Sequence, residues 1–225
     1  MTQYADLLFD LDGTLTDNYP GISRSILHAL EGSGVPAPDA EALRQCLGPP
    51  LRATFARLLA TDDRARIETV LARYRQRYAV DGWRENQPYE GIDRALAELA
   101  DAGHRLHVCT SKPRLYAQRI VEHFGLARHF ASLHGPDLDG RLDDKADLLR
   151  DLLRTERLDA AACVMIGDRA QDMRAARANA VDGLGVLWGY GSRAELIDAG
   201  ASRVVEHVHE LAHALAADRA RHDMV

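Results

Sequence analysis

An apolar run, Leu7-Leu8-Phe9, passes directly into Asp10-Leu11-Asp12-Gly13-Thr14, and no other stretch constrains the chain as much. A hydrophobic strand that ends in a turn is ordinary. One that ends by presenting two acids two residues apart is not, because strand periodicity places Asp10 and Asp12 on the same side of the backbone, where their charges repel unless something binds between them. A divalent cation, a phosphoryl group, or both would supply that compensation.

Downstream the pattern splits in two. Residues 16–83 read as an all-helical insertion. Ile22, Ile26, Leu27 and Leu30 repeat on one helical face before Gly32-Ser33-Gly34, and a second helix starts near Pro38-Asp39 and stops at Gly48-Pro49-Pro50. A third runs through Leu51, Phe55, Leu58 and Leu59, and a fourth carries Ile67, Val70, Leu71, Tyr74 and Tyr78 to Asp81-Gly82. From Tyr89 onward strands alternate with helices. Strands are expected at Leu106–Thr110, Phe130–His134, Ala161–Gly167, Gly183–Leu187 and Arg203–Val205, with a last helix over Val208–Ala217. Such alternation predicts an α/β fold: a three-layer, Rossmann-like parallel sheet built from 1–15 and 84–225, with the helical segment inserted after the first strand.

Open parallel sheets bind ligands at the carboxyl ends of their strands. The first strand delivers Asp10 and Asp12 there, the second Thr110-Ser111-Lys112, and the fourth Gly167-Asp168-Arg169 with Asp172; Lys145 opens the helix before that fourth strand. Mg²⁺ takes oxygen ligands and few carboxylates, so Asp10 and Asp168 can each give one oxygen and a backbone carbonyl near Asp12 the third. A carboxylate can also act as a nucleophile and form an aspartyl-phosphate. Thr110, the Ser111 amide and Lys145 are donors suited to the charge that spreads over a transferring phosphoryl group. Asp12 can protonate a leaving alkoxide and then take a proton from water. Lys112 either contacts substrate or caps the turn.

Composition narrows the partners. A net charge of −6 over 225 residues, with no Lys/Arg run, gives no basic face for nucleic acid. No apolar stretch approaches the ~20 residues that cross a bilayer. The N-terminus lacks a positive region followed by an apolar block, and Cys46, Cys109 and Cys163 are odd in number and form no CxxC. A cytoplasmic protein with reduced core thiols, a monomer or homodimer, is the expectation.

The four motifs Asp10-Leu11-Asp12-Gly13-Thr14, Thr110, Lys145 and Gly167-Asp168-Arg169 with Asp172 resemble those of the haloacid dehalogenase-like hydrolase superfamily, in the same order and over essentially the whole chain. The insertion falls where that superfamily carries a C1-type cap domain. The resemblance implies that Asp10 is the nucleophile and that Asp172 is an acid standing behind the metal's ligands. It also implies that an acid at position 12 marks enzymes of phosphate esters, not dehalogenases. Gly48-Pro49-Pro50-Leu51, Tyr89-Glu90-Gly91, Thr110-Ser111-Lys112-Pro113, Leu138-Asp139-Gly140 and Gly189-Tyr190-Gly191-Ser192 look like the phosphoglycolate phosphatase and bacterial 5′-nucleotidase-like branch. In related capped enzymes the loop around Gly48 faces the active site, which makes Arg52 a candidate for binding substrate.

The implied activity is Mg²⁺-dependent hydrolysis of a small phosphomonoester. A sugar phosphomutase on the same core, or a non-catalytic module that binds a phosphorylated metabolite, are the alternatives. His207, His209 and His213 read as a surface helix face, Asp17 and Asp143-Asp144 as solvated or capping acids, and Trp83 and Trp188 as packing residues.

Overall fold

The computed structural model describes residues 4–216. The expected helical end at Ala217, and the terminal residues Met1 and Val225, lie outside these. The chain divides into two compact units, one of Met1–Thr16 with Pro88–Val225 and one of Asp17–Gln87. The crossings thus fall at 16/17 and 87/88, against 15/16 and 83/84 from sequence. Each crossing is a two-residue strand, β2 (Thr16–Asp17) and β3 (Gln87–Pro88), and the two pair with one another. Segments this short carry no periodicity, so hydropathy does not reveal them.

The larger unit is a six-stranded parallel sheet flanked by helices. In chain order its elements are β1 (Asp6–Phe9), α5 (Ile92–Asp101), β4 (Arg105–Cys109), α6 (Arg114–His123), β5 (Phe130–His134), α7 (Lys145–Glu156), β6 (Cys163–Gly167), α8 (Ala170–Ala178), β7 (Asp182–Val186), α9 (Arg193–Ala199), β8 (Arg203–Val205) and α10 (Leu211–Ala216). The strand order is β5-β4-β1-β6-β7-β8. Central strands of such sheets are covered on both faces and read as continuous apolar runs. Accordingly β1 and β6 are buried throughout, whereas the edge strands β5 and β8 are only partly so. Leu8, Cys109 and Met165 pack under Leu148, Leu149 and Leu152 of α7, and Phe9 meets Phe130 edge-to-face at 6.2 Å. Cys46, Cys109 and Cys163 are buried free thiols.

Register brings the chemistry together. Phe9 lies opposite Val108 of β4 and Ile166 of β6, and the Asp10 amide donates to the Ile166 carbonyl over 2.9 Å. The three strands therefore end level, and the residues that follow them share one rim.

Two elements of this unit open as 3₁₀ turns against the sequence expectation. The strand expected from Ala161 begins at Cys163, because Asp159 accepts from the Ala161 amide and winds Ala160–Ala162 into a 3₁₀ turn. The final helix likewise starts as a 3₁₀ turn at Val208–Glu210, where Glu210 accepts from the His207 amide at 3.1 Å.

The smaller unit is helical: α1 (Tyr19–Leu30), α2 (Ala40–Arg44), α3 (Leu51–Leu59), α4 (Arg64–Arg77) and a π-helical turn at Tyr78–Gly82. The second helix is only five residues long, capped by Asp39 and followed by turns into Gly48. Phe55, Tyr74 and Tyr78 form an aromatic row, with the two tyrosine rings stacked at 5.4 Å. Arg77 clamps Glu85 through two contacts of 2.9 and 3.0 Å, which ties the end of the unit to α4. Asp17 accepts from the Tyr19 amide, as a capping acid does, and the Trp83 ring carries the Arg84 guanidinium. No helix among the described residues is long and apolar enough to cross a membrane.

Candidate active site

The rim of the sheet gathers three buried carboxylates, Asp10, Asp168 and Asp172, each with an oxygen within 4.8 Å of the others. Lys145, the first residue of α7, reaches in from the side. Its Nζ lies 2.7 Å from Asp10 Oδ1 and also pairs with Asp172 Oδ1. α7 starts there because Asp144 caps it, accepting from the amides of Ala146 at 2.9 Å and Asp147 at 3.0 Å. Burial works against the Lys145 charge, but Asp10 and Asp172 outweigh it and hold its pKa above the ordinary value.

Two of the acids are raised as well, which for a carboxyl disfavours the charged form. Burial, then the charges of Asp172 and Asp10, push Asp168 well above the usual carboxylate range, against the pull of the Tyr190 amide. Burial also raises Asp172, to about 6, although Lys145 opposes it. Three acids against one ammonium leave buried negative charge uncompensated, and all the atoms on offer are oxygens. A hard divalent cation is the group such a donor set fits.

Asp168 is held from three directions. The Tyr190 amide donates to Oδ2 at 2.8 Å and the Thr14 hydroxyl to Oδ1 at 3.3 Å. Gly13 closes over it at φ +89°, and a Cβ there would stand 2.2 Å from Asp168 Oδ2. Only glycine combines that backbone conformation with so close an approach. Gly189 is equally confined, since its Cβ would meet the Gly13 carbonyl oxygen at 2.3 Å. The neighbouring Trp188 donates its indole N–H to the Thr14 carbonyl over 2.9 Å and so braces the same turn. Asp172 accepts from the Arg169 amide at 2.9 Å. Glu195 accepts from the Ala170 amide and the Arg169 guanidinium, which fixes the start of α8.

Asp12 stands apart from the carboxylate group. Its Oδ2 lies 2.6 Å from the Lys112 ammonium, and Lys112 is nearly fully buried. The side chain of Asp12 is thus outside the three-acid cluster, which leaves its main-chain carbonyl as the oxygen it could offer a cation. Thr110 is buried at the end of β4, where its hydroxyl accepts from the Lys112 amide at 3.2 Å; Ser111 is half-buried between them. Arg52 lies in α3 of the smaller unit, with Nε 2.6 Å from Glu68 Oε1. The rings of His207 and His209 stack at 5.4 Å, and among the described residues no histidine joins a group of three possible metal ligands.

The family pattern described as haloacid dehalogenase-like hydrolase matches residues 7–186. The chain belongs to that family. Its relatives include a 5′-nucleotidase of Pseudomonas aeruginosa, 43% identical over 194 residues and covering 86% of this chain and 87% of the relative. The tyrosine-protein kinase PtkA of Mycobacterium tuberculosis is 40% identical over 212 residues, 93% of this chain and 72% of the kinase. A phosphoglycolate phosphatase of Mesorhizobium japonicum is 30% identical over 214 residues, covering 93% and 94%. Among solved structures, that of a predicted phosphatase from Clostridium acetobutylicum superposes with a TM-score of 0.91 at 36% identity, covering 95% of this chain and 99% of the other.

Sequence motifs name most of what this hydrolase places at its rim, including Gly13 and Thr14 against Asp168, but give no role to the Tyr190 amide or to Trp188. The Tyr190 amide and Trp188 reach the site only through the loop after β7. The Gly189-Tyr190-Gly191 spacing was their one visible signal.

Proposed function

We propose that this haloacid dehalogenase-like hydrolase is a Mg²⁺-dependent phosphatase of a small phosphomonoester, phosphoglycolate-like or nucleoside monophosphate-like, acting through an aspartyl-phosphate on Asp10. The observation that carries this reading is the division of labour between two acids two residues apart. Asp10 sits with Lys145, Asp168 and Asp172, while Asp12 is held away from them on Lys112.

Asp10, Asp168 and the main-chain carbonyl of Asp12 would hold the cation, with Asp172 behind them. When bound, Mg²⁺ supplies the positive charge that lets an anionic phosphoryl group approach an anionic carboxylate. The Asp10 carboxylate then attacks phosphorus, and the bond from phosphorus to the ester oxygen breaks. The Asp12 carboxyl gives its proton to the departing alkoxide. In the second half Asp12, now ionised, takes a proton from a water that attacks the same phosphorus, which releases inorganic phosphate and restores the Asp10 carboxylate. The Thr110 hydroxyl and the Ser111 amide donate to the phosphoryl oxygens, and Lys145 keeps Asp10 oriented.

The unit Asp17–Gln87 is assigned the part of a cap that selects substrate, with Arg52 available to a substrate carboxylate once it releases Glu68. Turnover of p-nitrophenyl phosphate with and without Mg²⁺, and by Asp10→Asn, tests the mechanism; full activity in that variant would sink it. A panel of phosphorylated metabolites then names the substrate. The mycobacterial kinase relative supports one second reading, phosphoryl transfer from a nucleoside triphosphate to a tyrosine hydroxyl. Incubation with γ-labelled ATP and a tyrosine-containing protein separates the two, since a phosphatase leaves no alkali-stable label on the added protein.

A further inference from the structure

One face of α6 carries a groove for which the proposed chemistry has no use. Residues Arg114, Leu115, Gln118 and Arg119 recur at i, i+1, i+4 and i+5 and so share that face. Together with Leu133 of β5 and Leu138 they line a groove of about 720 Å³, within the size range of small-molecule sites. Two large hydrophobic residues that are exposed among the described residues stand in it, Leu115 at 48% and Leu138 at 37%. The guanidinium groups of Arg114 and Arg119 have no partner among the described residues. The acids of the groove are already engaged: Asp137 accepts from Arg141 Nε at 2.9 Å, and Glu122 accepts from the Gln118 amide at 2.5 Å. Arg141 answers the charge of Asp137, whereas Glu122, bonded to a neutral amide, keeps its own, so two guanidinium groups face one carboxylate beside exposed leucine.

The groove is joined to the rim of the sheet. The Arg114 amide donates to the Pro136 carbonyl at 3.0 Å, and a Cβ on Gly135 would meet the Lys112 carbonyl oxygen at 2.5 Å. The groove wall and the turn Thr110–Lys112 are therefore one packed piece. A second copy of the chain is a poor occupant, because a two-fold contact would set the free guanidinium groups of both copies against each other.

We infer that this groove is a second ligand site, for a free amphiphilic anion with one carboxylate, sulfonate or phosphate group on an apolar body. The apolar part lies on Leu115, Leu133 and Leu138 while the anionic group meets Arg114 and Arg119.

The test is a fluorescence titration of the full chain with 8-anilinonaphthalene-1-sulfonate, in the presence of enough inorganic phosphate to occupy the proposed catalytic site. We expect saturable binding that decanoate displaces and decanol does not. Arg114→Glu with Arg119→Glu, or both changed to Gln should the first pair fail to fold, should weaken binding by at least about tenfold. Turnover of p-nitrophenyl phosphate without the probe should stay unchanged. Equal affinity in both double variants, or equal displacement by decanol, overturns the inference by making the site merely apolar. Binding to anionic lipid vesicles but not to decanoate assigns the groove to a membrane surface instead. A wild-type dimer that Leu115→Glu converts to a monomer assigns it to a second copy. Either outcome overturns the proposal.

Discussion

Lys112 Nζ lies 2.6 Å from Asp12 Oδ2, so the acid assigned to proton transfer is engaged by a buried cation that itself stands beside Thr110. The ammonium has two candidate duties, binding the phosphoryl group and fixing Asp12, and kinetics separate them. Lys112→Met should raise KM by about tenfold or more if it binds substrate, the scale of a charge-assisted hydrogen bond. A fall in kcat at constant KM would limit it to positioning Asp12. Asp12→Asn should lose about 10²–10⁴-fold in kcat. Steady-state rates on p-nitrophenyl phosphate measure both.

Removing Lys145 leaves three buried carboxylates with no cation among them. Lys145→Met should destabilise the metal-free protein by about 3–5 kcal/mol, as breaking a buried ion pair does. Mg²⁺ should raise its thermal midpoint by more than it raises that of the wild type, because the cation answers charge that the lysine no longer does. Thermal unfolding with EDTA and with Mg²⁺ checks this; an equal Mg²⁺ response in the two proteins counts against a cation among these acids.

Gly13→Ala sets a methyl group against Asp168 at a backbone angle that L residues rarely adopt. We expect loss of turnover together with a stability loss of about 1–3 kcal/mol, the usual cost of one strained backbone position. Denaturant unfolding followed alongside activity measures the two effects.

His107 gives the pH dependence. Its Nε2 lies 3.0 Å from Asp6 Oδ1 and its Nδ1 2.7 Å from Ser132 Oγ, with Arg105, His134 and Glu156 among its surroundings. Burial pulls its pKa below the ordinary histidine value, although Asp6 opposes this. With the folded value depressed, the unfolded chain takes up the proton first as pH falls. The contribution to stability is whole above about pH 6.5, the unfolded value, and is lost from there down to the folded value. The raised carboxylates Asp168 and Asp172 act in the opposite sense, so the informative quantity is a difference. Between about pH 7 and about pH 5 the midpoint of His107→Gln should fall less than that of the wild type. Parallel curves would refute the assignment.

The strand ends were legible because each motif follows a buried apolar run, and the rule for parallel sheets collects such ends into one place. That reasoning finds Asp10, Thr110, Asp168 and, through the start of α7, Lys145. It does not find what orients them. The donor to Asp168 from the loop after β7 is a main-chain amide, which every residue possesses, so no side-chain type marks it. The brace from Trp188 to the Thr14 carbonyl joins residues 174 positions apart through a fold the sequence does not spell out. Arg52 illustrates a different gap. Its partner Glu68 sits on the next helix, at no spacing that a single helical face would reveal.

β2 and β3 carry a further implication. Both passages of the chain into the helical segment are two residues long and lie hydrogen-bonded side by side, so the segment leaves and re-enters the sheet at a single doorway. A tight turn joining Thr16 to Pro88 could replace everything between them without disturbing the order of the six strands. On the proposed assignment of substrate choice to that segment, the reaction and the choice of substrate are separately heritable, and the second can be exchanged as a cassette while the first is kept.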